Sequence, residues 1–202
     1  MEQLNLALFL TTSLVINAVP GPDVLYVISN HKHKGWQAAI PSIAGLFAGY
    51  LFHVFITFVG ISAIIAGNPV LFNTVKYLGS AYLVWMGISI IYEVLKKDQK
   101  SETSAPAPVR GSKYFTRGFI ISALNPKVSV FFLSFLPQFI PQGATDSYLI
   151  IVLGLIFCAG ATFFNFLYCL LSSIQLKNRF KHKILDFLPG VILASVGVYT
   201  AL

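Results

Sequence analysis

Six long apolar runs, at about 4–28, 38–66, 69–94, 114–140, 147–173 and 184–202, leave little of this 202-residue chain for anything else. Each run is near or above the ~20 residues that a helix needs to cross the ~30 Å hydrocarbon layer of a bilayer. Charged residues make up 10% of the chain and hydrophobic ones 56%, whereas a soluble domain carries roughly 25% charged residues. In water such a chain would leave much of its apolar surface uncovered. The runs show no strict alternation, which argues against a transmembrane β-barrel. The expected fold is therefore all-α, a polytopic membrane protein with six transmembrane helices. The sixth run is the least regular, being short with Pro189-Gly190 early in it.

The positive charges orient the spans. Lys32 and Lys34 fall in the first connection, Lys96, Lys97, Lys100, Arg110, Lys113 and Arg117 in or beside the third, and Lys177, Arg179, Lys181 and Lys183 in the fifth. Twelve of the fourteen Lys and Arg residues thus lie on one side of a six-span arrangement. The second connection, around Gly67-Asn68-Pro69, and the fourth, Pro141 to Asp146, carry none. Basic loops face the cytoplasm, which puts both termini on the outer side of the membrane. The net charge of +7 is a topology signal spread over short loops and not a folded basic face, so no nucleic-acid partner is expected. The only early charge is Glu2, so the first run lacks the basic region of a cleaved signal peptide. Cys158 and Cys169 stand eleven apart in one span, a spacing that suggests neither a disulfide framework nor a zinc site.

The longest polar stretch, KKDQKSETSAPAPVRGSK at 96–113, has the composition of a linker. It divides the chain into a first three-helix repeat (1–95) and a second (114–202). Because three is odd, the second set enters the membrane inverted, an arrangement common among transporters. The halves share a feature. Pro20-Gly21-Pro22-Asp23 interrupts span 1, and Asn125-Pro126-Lys127 interrupts span 4, the first span of the second half. A proline inside a helix removes a hydrogen bond and clashes with the carbonyl four residues back. In lipid such a break is tolerated where it lines a protected interior, and paired breaks in corresponding spans point to a transporter's binding site. Asp23 and Lys127 each directly follow a break proline, deep in an apolar run. A charge at that depth is costly and normally meets a partner or a polar cavity. The two are expected to approach each other, either as a substrate site or gate, or as a structural ion pair.

Two further helices carry polar stripes. Gly45, Gly49, His53, Thr57 and Gly60 in span 2 recur at three and four, as do Cys158, Thr162, Asn165, Cys169 and Ser172 in span 5. These spans are equivalents under the repeat, so both stripes are expected to face the shared interior. The glycines read best as close helix packing. His53 reads equally as a proton carrier or as a neutral imidazole bonded to a backbone carbonyl, and Asn165 better as an interhelical bridge than as a ligand. Thr162 belongs to the same polar interior. The eighteen Phe and nine Tyr residues read chiefly as lipid-facing and packing residues. No Gly-rich phosphate loop, nucleophile–base arrangement or metal-ligand cluster is present in the sequence, so no cofactor, no resident metal and no enzymatic activity are expected.

With these motifs assembled, VPGPDVLYVIS, IPSIAGLFAGYLFH, YLGSAYLVWMG (77–87) and GFIISALNPKVSVFFLSFLPQFI (118–140) together resemble the LysE/RhtB family of bacterial amino-acid exporters. The resemblance runs from about residue 4 to the end, with the linker as a gap. It implies export of amino acids or close derivatives from the cytoplasm, driven by an ion gradient with protons as the expected coupling ion. An amino-acid zwitterion suits both charges, its carboxylate near Lys127 and its ammonium near Asp23. A metal-cation exporter would need more acidic or histidine residues within the spans than Asp23 and His53 supply. Thiol-redox relatives in the same superfamily need cysteines near the breaks in spans 1 and 4, where this chain has Asp23 and Lys127. The substrate's identity, the coupling stoichiometry and the oligomeric state, a homo-oligomer included, stay open at this level.

Overall fold

The structure is a computed structural model that describes residues 6–67, 69–96, 113–140, 148–173 and 183–201. Among them it is wholly helical: α1 (Leu6–Ala18), α2 (Pro22–Lys34), α3 (Trp36–Gly67), α4 (Pro69–Lys96), α5 (Tyr114–Ala123), α6 (Pro126–Val130), α7 (Tyr148–Ser173) and α8 (Lys183–Ala201). A π-helical turn, Phe131–Phe135, and a 3-10 turn, Leu136–Phe139, continue α6. Stretches within α3, α4 and α7 are long and apolar enough to cross a membrane, which makes five spans if each of the two bent pairs, α1–α2 and α5–α6, counts as one. The last helix contributes a shorter apolar stretch, Gly190–Tyr199. Most of the linker at 96–113, the connection from Pro141 to Asp146 and the basic residues Lys177, Arg179 and Lys181 lie outside the described residues.

Both expected breaks are present. Helices α1 and α2 meet at 46° across Val19–Gly21, and α5 meets the Pro126–Phe139 segment at 48° across Leu124–Asn125. Each new helix starts with proline in its first turn, where the missing N–H has no partner to lose. One expectation needs correcting. Lys32 and Lys34 lie in the last turn of α2 and not in a connecting loop, and the connection is a single residue, Gly35, at φ 60°. No breaker precedes that glycine, and basic side chains suit the partial negative charge of a helix C-terminus, so the helix continues through them.

Helix α3 lies along α5, α7 packs on α1, α2 and α3, and α4 pairs with α8. Small residues set these approaches. A Cβ on Gly45 would collide with the Phe115 carbonyl, one on Gly118 would come within 2.6 Å of the Ser42 carbonyl, and one on Gly49 would strike the Ser122 side chain. Gly87 and Gly190 do the same for α4 and α8, each opposing the other's carbonyl. Van der Waals packing of this kind drives helix association where lipid removes the hydrophobic incentive. The apolar centre is aromatic: Phe9, Phe131, Phe132, Phe135 and Phe157 are essentially inaccessible, with Phe131 stacked on Phe157 at 4.3 Å between ring centres. Large hydrophobics such as Phe55, Val59, Trp85 and Phe163 point outward, as lipid contact requires.

Candidate substrate site

The two breaks come together at the centre of the molecule. Lys127 Nζ lies 3.9 Å from Asp23 Oδ1, with both side chains less than one-tenth exposed. That separation makes an ion pair and not a hydrogen bond. The hydrogen bonds of the lysine go to the main chain at the end of α1 and just beyond it: Nζ donates to the Val19 carbonyl at 2.9 Å and to the Ile16 carbonyl at 3.3 Å. The sequence explains why the Ile16 carbonyl is free, and the Ala18 carbonyl with it. In a continuous helix the Ile16 carbonyl would take the N–H of residue 20, and the Ala18 carbonyl that of residue 22, but both are prolines. Lys127 satisfies the first, and the Tyr168 hydroxyl donates to the second at 2.6 Å.

The second break is closed by the first half of the chain in the same manner. Pro126 offers no N–H to the Ser122 carbonyl, which instead accepts from the Asn125 N–H at 3.0 Å and from His53 Nε2 at 3.0 Å. A carbonyl only accepts, so Nε2 carries the proton in this contact. Asn125 caps α6, its Oδ1 accepting the Lys127 N–H at 3.0 Å. The cap fixes the backbone of the residue whose side chain reaches α1.

The carboxylate of Asp23 is held from the other side by a chain of polar groups. Tyr50 Oη donates to Asp23 Oδ2 at 2.9 Å and accepts from Asn165 Nδ2 at 3.1 Å. Tyr50 is inaccessible to solvent and Asn165 nearly so. Three buried atoms in this cluster have no hydrogen-bond partner: Asp23 Oδ1, Asn165 Oδ1 and Asn125 Nδ2. Each such atom costs ~1–3 kcal/mol while unmet, so the cluster keeps two unmet acceptors and one unmet donor. Gly21 lets the groups close up. A Cβ there would sit 2.7 Å from Asp23 Oδ1 and 3.2 Å from Lys127 Nζ. Aromatic side chains line the flank, with Phe157 edge-on to Tyr50 and His53 stacked on Phe132.

The structure therefore gathers Pro20, Gly21, Pro22, Asp23, Asn125, Pro126, Lys127 and Asn165 in one place. It gives His53 the main-chain partner that the sequence left as one of two readings. Thr162 turns back on its own helix, bonding the Cys158 carbonyl at 2.8 Å. The span 2 stripe meets α5 directly through its glycines and His53, so that part of it is an interhelical seam. Tyr50 and Tyr168 escape a reading that assigns tyrosines to packing. Their signal is position: Tyr50 lies three residues before His53 and Tyr168 three after Asn165, each on the edge of its stripe. Among the described residues no group of three His, Cys, Asp or Glu side chains is placed to hold a metal ion.

Comparison with known proteins places this architecture. The profile of the family described as "LysE type translocator" matches residues 14–202, both breaks and the ion pair included. The chain belongs to that family. Among similar proteins, the "Leucine efflux protein" of Salmonella typhimurium is 33% identical over 178 residues, covering 88% of this chain and 80% of that protein. The protein of the same name from Klebsiella pneumoniae is 37% identical over 143 residues, 70% of this chain and 66% of its own length. An "Uncharacterized membrane protein YrhP" from Bacillus subtilis is 28% identical over 207 residues, 98% of this chain and 99% of that one. No solved structure matches. In this LysE-type translocator the pair of broken helices and the buried ion pair between them form the one place where charge is buried among the described residues.

Proposed function

We propose that this translocator exports an amino acid with an apolar side chain, leucine being the type, from the cytoplasm across the bacterial inner membrane in exchange for protons. The observation that carries the proposal is the buried Asp23–Lys127 pair between two broken helices, with Asn165 joined to it through Tyr50 and Asn125 through the Lys127 main chain. An amino acid is a zwitterion with one charge for each member of the pair. Asn165 Oδ1 and Asn125 Nδ2 add an acceptor for its ammonium and a donor for its carboxylate. Both buried charges are then used on the α-groups, which leaves none for an ionic side chain, while the rings of Phe157, edge-on to Tyr50, and Phe132, stacked on His53, suit an apolar one. The names of the Salmonella and Klebsiella relatives agree with leucine.

The arrangement proposed is six spans in two inverted repeats, 1–95 and 114–202, joined by a cytoplasmic linker at 96–113, with both termini periplasmic. What supports it is the exchange of partners between halves. Span 2 lies on the break of span 4, span 5 lies on the break of span 1, and spans 3 and 6 pair with each other. A two-fold axis in the membrane plane would produce that pattern. The test is uptake of labelled leucine and a panel of other amino acids into inside-out membrane vesicles. Uptake that depends on the protein, rises with an acidic lumen and collapses with a protonophore is expected. Neutral amino acids that enter no faster than in vesicles lacking the protein would refute the reading.

A further inference from the structure

The ammonium group of Lys127 occupies a site made of three oxygens: the Ile16 and Val19 carbonyls and Asp23 Oδ1. Two of these are main-chain carbonyls at the C-terminal end of α1, where the helix carries a partial negative charge. The third is an oxygen of a buried carboxylate that forms no hydrogen bond. Carbonyls at a broken half-helix end, together with a carboxylate, make a cation site. The contacts require N–H donors as well as charge, because two of the three oxygens accept hydrogen bonds from Nζ. Gly21 borders the same space, and any side chain there would intrude on both Asp23 Oδ1 and Lys127 Nζ.

We infer that these three oxygens form a subsite for a primary ammonium group, which Lys127 fills in this conformation as a tethered competitor. The α-ammonium of a substrate has the same charge and the same three donors as Nζ. It can replace Nζ at the carbonyls and Asp23, and the displaced Lys127 then pairs with the substrate's carboxylate. Charge is conserved in the exchange, since a neutral zwitterion is inserted between two ions that already balance. The two break carbonyls keep a donor and Asp23 keeps a facing positive charge throughout. The swap rests on the amino-acid reading for the identity of the ligand, whereas the ammonium subsite itself rests on the geometry alone.

The experiment uses the purified full chain and methylammonium chloride. Lys127→Ala removes the competitor, so methylammonium is expected to raise the melting temperature of that variant saturably, by about 2–4 °C at some five times its dissociation constant. Tetramethylammonium, which has the charge but no N–H, is expected to do nothing, as is methylammonium on the unsubstituted protein or on Asp23→Asn/Lys127→Ala. If Lys127→Ala is recovered unfolded, solubilisation in methylammonium is expected to return folded protein where tetramethylammonium does not. A variant indifferent to methylammonium, or equal effects of the two salts, would overturn the subsite. Failure of leucine transport with a positive methylammonium response would remove the substrate and keep the subsite.

Discussion

Asp23→Asn and Lys127→Ala break the same ion pair, yet the structure predicts unequal losses of stability. Asparagine keeps an oxygen for Tyr50 and carries no charge, and Lys127 keeps its two carbonyls. At 3.9 Å and an effective dielectric of 20, the attraction lost is about 4 kcal/mol gross. Several kcal/mol of carboxylate desolvation are no longer required, which offsets most of it. A net cost of about 1 kcal/mol follows from these two terms. Lys127→Ala instead removes two charge-assisted hydrogen bonds, each contributing ~1.5–3 kcal/mol, and leaves the Asp23 carboxylate buried with Tyr50 as its hydrogen-bond donor. Breaking a buried pair in that way costs ~3–5 kcal/mol. Equilibrium unfolding of the purified proteins in mixed micelles, by denaturing detergent or by heat, reads the difference. A gap of ~2–4 kcal/mol between the variants is expected from those figures. Equal losses would refute the argument that the α1 carbonyls anchor the lysine.

Gly45→Ala is expected to destabilise by ~1–3 kcal/mol through collision with the Phe115 carbonyl. Gly60→Ala in the same helix meets nothing within 4 Å, and should be neutral or stabilising by up to ~1 kcal/mol in the same unfolding assay. His53→Gln can still donate to the Ser122 carbonyl, so its export should keep the pH profile of the parent. His53→Ala should lose ~1 kcal/mol of stability with the bond, and a flattened pH profile in the Gln variant would instead mark a proton carrier. Cysteines placed at 104 and 142 report orientation: an impermeant thiol reagent applied to intact cells should label position 142 only, and labelling at 104 would reverse the topology.

The apolar runs located the helices closely, with α3, α4, α7 and α8 starting and ending within about two residues of the runs that predict them. This is because hydrocarbon thickness and backbone satisfaction leave a membrane segment few alternatives. The breaks were legible for the same reason, since proline's missing N–H is a local property. So was the approach of Asp23 to Lys127, because two charges in lipid have few ways to be tolerated. The destinations of the freed carbonyls were not legible. Ile16 and Val19 are satisfied by a side chain more than a hundred residues away, and Ser122 by one on a different helix. Only the tertiary arrangement decides that Lys127 serves the main chain first and Asp23 second. Tyrosine hides its role similarly. Trp85 and Tyr199 face outward while Tyr50 holds the carboxylate, and only its register beside the polar stripe sets Tyr50 apart in the sequence. The basic end of α2 misled in the opposite sense, because charge marks the membrane boundary and not the end of a helix.

That the pair is a substrate site and more than a structural clasp is tested most directly by the double variant Asp23→Asn/Lys127→Ala. Replacing both members of a buried pair can be nearly neutral for stability, whereas removing one strands the other. Leucine uptake into inside-out vesicles is measured for both single variants and the double variant, at matched amounts of folded protein. Transport is expected to be abolished or strongly impaired in all three, with the double variant no better than the singles although its stability recovers relative to Lys127→Ala. Transport restored to near the parent level in the double variant, or full activity in either single one, would contradict a substrate site.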